Sequence, residues 1–529
     1  MQDAESVRLN RLGLELAQAG QEQEAEQLFG LLVETGMADF ETLKSYAIQL
    51  ASTGRCAKAE PWMRHAIALN GADPVSHNVL SFCLIELEKY EGAAEAARQA
   101  VLLAPHYPEA QSNLGLALNR LGRNIEALPA SEAALRLQPD DPANLLNHGN
   151  VLRDLGRTDE ALALAERACA LAPKMVQAHY NLGNLLSDAG RHADAVAAFG
   201  RAVDLDANHS SAHWNRALCN LLLGDFQAGW PEYEWRWKDP VARPVVRHFD
   251  CPLWLGQTDI AGKSILIHCE QGLGDALQFI RYASVLVELG ATVHVEAFAP
   301  LATLFAAIPG VAAVQPPGQR APAVDFHCPL MSLPLALRAA NPHIPQRTPY
   351  LFVEAERQRP WRDRLAAFRG RKIGLAYAGS ATHRNDHNRS IALAAFLAAL
   401  PPGPDYVLLQ TELRDGDADL LRTRPDITPL GGEIRDFVDT AAICLELDLV
   451  ISVDTSVAHL AGALGRPLIV LVPYDPDWRW GLGAETSAWY PSAKIWRQRA
   501  RGDWTTALQD LHARLERGGP PTSPAWPAP

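Results

Sequence analysis

The chain has 529 residues, enough for about three or four domains, and with 48% hydrophobic and 21% charged residues it can bury sizeable cores. A formal net charge of −13 and a pI near 5.7 argue against a general nucleic-acid binder, which needs clustered Lys and Arg to neutralise phosphates. Eight cysteines with no C-x-x-C pair suggest neither a zinc site nor a redox dithiol, and no apolar signal core or bilayer-length apolar run is present, so the expected setting is the cytoplasm, with no transmembrane segment.

The first part of the chain repeats in steps of thirty-four residues. Asn113-Leu114-Gly115, Asn147-His148-Gly149, Asn181-Leu182-Gly183 and Asn215-Arg216-Ala217 share one phase. Leu121-Gly122, Leu155-Gly156, Ala189-Gly190 and Leu223-Gly224 share the phase predicted for an inter-helix turn, and Pro105, Pro139 and Pro173 close successive units. This is the period of tetratricopeptide helix-turn-helix units. Fainter copies at Gly13, Ala47 and Ser81 carry it upstream, giving about six or seven units over residues 1–238. One helix pair cannot bury its apolar face alone, so the expectation is an α-solenoid with a long surface suited to protein or peptide.

Asn113, Asn147, Asn181 and Asn215 recur on the first helix of consecutive units. Each could satisfy a backbone group of a neighbouring helix, or together they could form an amide ladder gripping an extended polypeptide, since Asn offers donors and an acceptor whatever the peptide sequence. The periodicity then decays into GDFQAGWPEYEWRWKDP, where Trp230, Tyr233, Trp235 and Trp237 crowd. They read as a capping helix packing the last repeat on the next domain, with a sugar-stacking platform as the alternative. Residues 239–262 form a Pro-containing linker.

From Lys263 short apolar strands alternate with helices, as in βαβ construction. Strands are predicted at Ser264 to Cys269, Thr292 to Ala297 and Val324 to Leu330 in a lobe spanning 263–345, with a helix over Ala276 to Leu289. A second lobe, 346–515, carries strands at Lys372 to Ala378, Tyr406 to Gln410 and Leu447 to Val453. Its centre is LDLVISVDTSVAHLAGALGRPLIVLV, an apolar run that stops at Asp454-Thr455-Ser456, a helix over Val457 to Leu464, and a second apolar run. A helix starting at the carboxyl end of a buried strand turns unpaired N–H groups and its positive dipole end towards the crevice where open α/β sheets bind anions. The tail, 516–529, is expected to be disordered.

Two further loops bear on that anion. Gly272-Leu273-Gly274 ends a strand and opens a helix, so its backbone can approach phosphate or sugar oxygens closely. Neither the dinucleotide fingerprint nor a Walker motif is present, which counts against a dehydrogenase and an NTPase. Asp275 either caps its helix or serves as a carboxylate that removes a proton from a reacting hydroxyl. YAGSATHRNDHNRS places His383, Arg384, His387 and Arg389 after another strand. Such charges are either solvated or, opposite a helix N-terminus, neutralise a diphosphate leaving group without a metal. His459, four residues after Thr455, is either a structural histidine or part of the anion site, and ranks below Thr455 and Ser456.

The markers GWPEYEWRW, EQGLGDALQFIRY, GSATHRNDHNRS, DFVDTAAICLELDLVISVDTSVAHLAGALG and DWRWGLG, in this order, resemble the bacterial tetratricopeptide-glycosyltransferase proteins. The half from Lys263 to Trp504 is similar to heptosyltransferase-type glycosyltransferases, and the whole is similar to O-linked N-acetylglucosamine transferase. The resemblance implies a GT-B fold with two Rossmann-like lobes, an acceptor-side lobe at 263–345 and a nucleotide-sugar donor lobe at 346–515. It implies Asp275 as catalytic base, and a donor-phosphate segment at Asp454, Thr455, Ser456 and His459 with Arg389. Gly272, Leu273, Gly274, His383, Arg384 and Gln410 would lie in loops near donor or acceptor, and Asn113, Asn147, Asn181 and Asn215 would match the peptide ladder. Heptosyltransferases commonly carry Gly where Ser456 stands, and a Lys where this chain offers Arg384 or Arg389.

The expected activity is that of an inverting, metal-independent glycosyltransferase with no cofactor, taking a nucleotide-diphosphate sugar as donor and an acceptor hydroxyl, on a polypeptide presented by the repeats. Two alternatives stand beside it: an interaction scaffold with a degenerate transferase domain, and transfer to a lipid or oligosaccharide.

Overall fold

The computed structural model describes residues 2–242, 246–319, 323–337, 344–345, 347–383 and 385–517. The chain divides into two compact units, Met1–Ala212 and His213–Pro529. The boundary falls inside helix Ser210–Leu222, so the last helices carrying the repeat pattern group with the second unit.

The first unit is a stack of antiparallel helix pairs. From Phe40–Ser52 and Cys56–Leu69 onward the two helices of each pair are 13 and 14 residues long, ending with Val176–Asp188 and His192–Leu205. Small residues at one phase let the helices approach: Ala59, Ala93, Ala127, Ala161 and Ala195 are all fully buried. Asp39, Asp73 and Asp141 cap first helices by accepting N–H groups of Thr42, Ser76 and Asn144 at 3.1, 2.8 and 3.1 Å. The turn between helices requires a left-handed residue, supplied by Gly122, Gly156 and Gly190 at φ 73, 78 and 75°; one period upstream Glu88 takes the same conformation at φ 58°.

The second unit holds two parallel sheets. The first comprises β1 (Ser264–His268), β2 (Thr292–Glu296), β3 (Val311–Gln315) and β4 (Phe326–Pro329), in the order β3-β2-β1-β4. The second comprises β5 (Lys372–Ala376), β6 (Asp405–Leu408), β7 (Ile427–Pro429), β8 (Leu449–Val453), β9 (Leu468–Val472) and β10 (Ala493–Arg497), in the order β10-β9-β8-β5-β6-β7. All ladders between these strands are parallel, and every residue of β8 and β9 is buried, as strands covered on both faces require. Strand order reverses between β1 and β4 and between β5 and β8, and the crevices outside the carboxyl ends of those pairs are the topological switch points where α/β sheets bind ligands.

Several local expectations change. The helix expected over Ala276 to Leu289 is two segments, Leu273–Phe279 and Arg281–Glu288. Three strands lacked a readable signal: β3 is VAAVQ at an exposed sheet edge, β7 has three residues including Pro429, and β10 lies in the aromatic closing region. The linker packs on the first sheet, where Trp254 N–H donates to the His327 carbonyl at 2.9 Å and His327 N–H to the Pro252 carbonyl at 3.1 Å. Helix Thr505–Glu516 extends into the expected tail, and residues 518–529 lie outside the described residues.

The aromatic segment Phe226–Tyr233 and the turn Glu234–Trp237 also belong to this unit. Trp230 is 7% and Tyr233 2% exposed, and Trp230 meets Phe279, Trp478 and Trp489 edge-on at ring separations of 6.0, 5.4 and 6.4 Å. These two rings are core of the second unit, not an exposed stacking platform.

Candidate active site

At the switch point of the second sheet, β5 and β8 end side by side. Arg389 closes the short helix Asp386–Arg389 in the loop after β5, and its Nη1 donates to the Asp454 carbonyl at 3.2 Å, just past β8. Gly379 makes this reach possible, because a Cβ there would lie 2.6 Å from Arg389 Nη2. Thr455 precedes helix Ser456–Ala463 in an extended conformation, φ −142° and ψ 172°, without capping it through its side chain. Its hydroxyl instead pairs with Ser452 Oγ at 3.0 Å. The first-turn N–H groups of that helix therefore have no side-chain cap among the described residues, and a guanidinium stands beside them.

In the first lobe, Gly272 precedes helix Leu273–Phe279. Asp275 Oδ2 accepts the Gly272 N–H at 2.8 Å, so the capping role is real. Its Oδ1 forms an ion pair with Arg479 from the loop after β9. Gly274 is a packing glycine: a Cβ there would lie 2.9 Å from His459 Cδ2, so it lets helix Leu273–Phe279 approach Ser456–Ala463. Leu273 is half-buried beside it.

Arg479 is what sequence reasoning missed. It is 8% exposed, between the buried Trp478 and Trp480, and its Nη1 and backbone N–H both donate to Asp477 Oδ1, at 2.7 and 3.0 Å. The readable signal was an Arg flanked by two Trp, two residues after an Asp, beyond a buried strand. Arg479 thereby joins Asp275 of the first lobe to the strand ends of the second.

Burial, and next the Asp477 carboxylate, push Asp454 up to about 6. Burial also pushes Asp477 upward, but Arg479 outweighs it and holds that carboxyl below its usual value. His459 is 4% exposed, its Nδ1 lies 2.9 Å from the Tyr490 hydroxyl, and its ring stacks on Trp480 at 5.2 Å. Its Nε2 is 3.8 Å from Asp454 Oδ1, yet burial and then Arg479 lower it to about 3, so the ring is neutral at pH 7 and the contact is not an ion pair. His383 joins the cluster electrostatically: burial first and Arg389 next lower its pKa, opposed by Asp386, Asp275 and Asp477. Arg384 lies outside the described residues. Gln410 follows β6 next to Gly431, and among the described residues no hydrogen bond joins its side chain to the cluster.

The switch point of the first sheet is filled by the chain itself. Arg236, fully buried, donates through Nη2 to Glu270 Oε1 at 3.0 Å and Ser332 Oγ at 2.7 Å, and through Nη1 to Glu234 Oε1 at 2.7 Å. Glu270 follows β1 and Ser332 follows β4. Burial raises Glu270 to about 7 despite Arg236.

In the helix stack the ladder amides face one another's neighbours. Asn113 Nδ2 donates to Asn78 Oδ1 at 2.9 Å, and Asn147 Nδ2 to Ser112 Oγ at 3.0 Å, each a link between adjacent repeats. Asn181, 6% exposed, accepts from Gln177 at 2.6 Å. Asn215 is half-buried and also engaged. Local hydrogen bonding thus accounts for part of every amide's capacity.

Tetratricopeptide-repeat family models match residues 107–174, 146–208 and 180–233. The first unit is a tetratricopeptide-repeat solenoid. Protein FlbA of Caulobacter vibrioides is 25% identical over 333 residues, covering 56% of this chain and 55% of that protein, so the chain spans about half the length of the curated relative it matches. Among solved structures, YrrB, a TPR protein with an unusual peptide-binding site, is 22% identical over 35% of this chain and 95% of its own, at a TM-score of 0.29. A tetratricopeptide repeat protein of Parabacteroides merdae is 15% identical over 43% and 91%, at 0.38. Among the described residues no helix is long and apolar enough to cross a membrane, and no group of three or more His, Cys, Asp or Glu is placed to hold a metal ion.

Proposed function

We propose that the second unit is an inverting glycosyltransferase of GT-B architecture, using a nucleotide-diphosphate sugar and no metal, and that the tetratricopeptide repeats recognise a polypeptide that carries or accompanies the acceptor. The observation that carries this reading is the meeting of Asp275 with the second sheet's switch point through Arg479. A candidate base, an uncapped helix mouth and two guanidinium groups gather around Asp454. The diphosphate would lie at Thr455 and Ser456, with Arg389 neutralising the charge that develops as the bond breaks. Asp275 would take the proton of the acceptor hydroxyl as the new oxygen–carbon bond forms at the anomeric carbon. The old carbon–oxygen bond breaks with its electron pair leaving on the diphosphate. Eight free cysteines suit a reducing, cytoplasmic setting.

A thermal-shift panel of nucleoside-diphosphate sugars tests the donor site. Ligand at about one hundred times its Kd stabilises by about 2.7 kcal/mol, and Arg389→Ala should abolish the shift. If no nucleotide sugar stabilises the wild-type chain, the donor site is not there. The second reading, an interaction scaffold with a non-catalytic α/β unit, is favoured by one observation: both carboxylate oxygens of Asp275 are already engaged.

A further inference from the structure

Asp275 is held between two donors, the Gly272 N–H and Arg479. Arg479 serves two carboxylates at once, Asp275 through Nη2 and Asp477 through Nη1. The two partners are unequal. Asp477 accepts both a side-chain and a backbone N–H of Arg479 from two residues away in the same loop, whereas Asp275, on the other lobe, accepts one N–H. The Nε of Arg479, although buried, has no hydrogen-bond partner among the described residues, while the Nε of Arg389 lies 3.8 Å from Asp386 Oδ1. A buried N–H without an acceptor is costly, so the Nε of Arg479 marks a place for an acceptor oxygen. A carboxylate oxygen occupied by a guanidinium N–H is also closed to an acceptor hydroxyl.

We propose that Arg479 is an anion-operated latch on Asp275. A diphosphate entering beside Arg389 takes over N–H groups of Arg479, the contact to Asp275, which no backbone N–H of Arg479 supports, lets go, and Asp275 becomes available to the acceptor hydroxyl. Asp477 and the flanking Trp478 and Trp480 keep the backbone of the loop in place, so the exchange is confined to one guanidinium. The inference rests on the transferase reading above and adds order to it: donor first, base second. Arg479 is a positioning residue in this scheme, acting through Asp275 and the leaving group.

The test is a double-mutant cycle read by calorimetric titration of inorganic pyrophosphate into the full chain, as wild type, Asp275→Asn, Arg479→Gln and the double variant. Asp275→Asn, by removing the competing carboxylate charge, should tighten pyrophosphate binding about tenfold, and Arg479→Gln should weaken it by a similar factor. In the Arg479→Gln background, Asp275→Asn should then change nothing. Arg479→Lys gives a second cycle should the Gln variant fail to fold; there the gain from Asp275→Asn should shrink. A gain that is absent, or equal in both Arg479 backgrounds, overturns the latch, as does a wild-type chain that binds no pyrophosphate. A cycle that closes as stated while no nucleotide sugar is turned over leaves the latch standing and removes the transferase reading; the reverse result removes only the latch.

Discussion

The two sheets of the second unit present the same topological feature and treat it in opposite ways. At β1/β4 the crevice is filled by Arg236, locked between Glu234, Glu270 and Ser332. At β5/β8 the crevice keeps an uncapped helix mouth, with Arg389 beside it and Arg479 reaching across from the loop after β9. A switch point is therefore a place, not a function: what occupies it decides whether a ligand has room. The first sheet offers a loop and a carboxylate, and the second offers the cations.

The strongest way to break the comparison is to unlock the filled crevice. Arg236→Met leaves Glu234 and Glu270 without their cation, and should cost the second unit about 3–5 kcal/mol in denaturant unfolding; a loss below about 1 kcal/mol would mean that the buried network is not what holds the loop. The same network sets a pH slope. Glu270 is raised in the fold from its ordinary 4.5 to about 7, so the folded chain binds the extra proton within that window and stability falls as pH rises through it. Glu270→Gln should flatten the slope between about pH 4.5 and 7, and an unchanged slope would assign it to other groups.

Smaller changes sharpen the open crevice. Gly274→Ala places a Cβ 2.9 Å from the His459 ring and should cost about 1–3 kcal/mol, because two packed helices must part. Gly379→Ala meets only the flexible end of Arg389, so stability should fall by less than about 1 kcal/mol while nucleotide-sugar affinity drops. Equal losses in both quantities would make Arg389 a structural residue. In the solenoid, Glu88→Gly should raise the thermal midpoint, with a gain of about 0.5–1 kcal/mol from relieving the left-handed turn.

Much of this was legible in residues. The thirty-four-residue phase located the turns and the buried small positions, because stacked pairs repeat the same contacts. The carboxyl ends of β1, β5 and β8 were readable from apolar runs ending at Cys269, Ala378 and Val453, since buried parallel strands are continuous apolar segments. What escaped depends on pairing across long separations. Arg479 meets Asp275 from 204 residues away, and Arg236 meets Glu270 from beyond the last repeat, so neither pairing belongs to a repeating pattern. The neutrality of His459 likewise comes from burial under Trp480, which a helix-face argument does not contain.

The most direct measurement of the central claim is transfer by Asp275→Asn against wild type, at a nucleotide-sugar concentration that saturates both proteins. The account predicts retained donor binding with transfer reduced by about 10²–10⁴-fold, the range expected for loss of a general base. Turnover equal to wild type would contradict it.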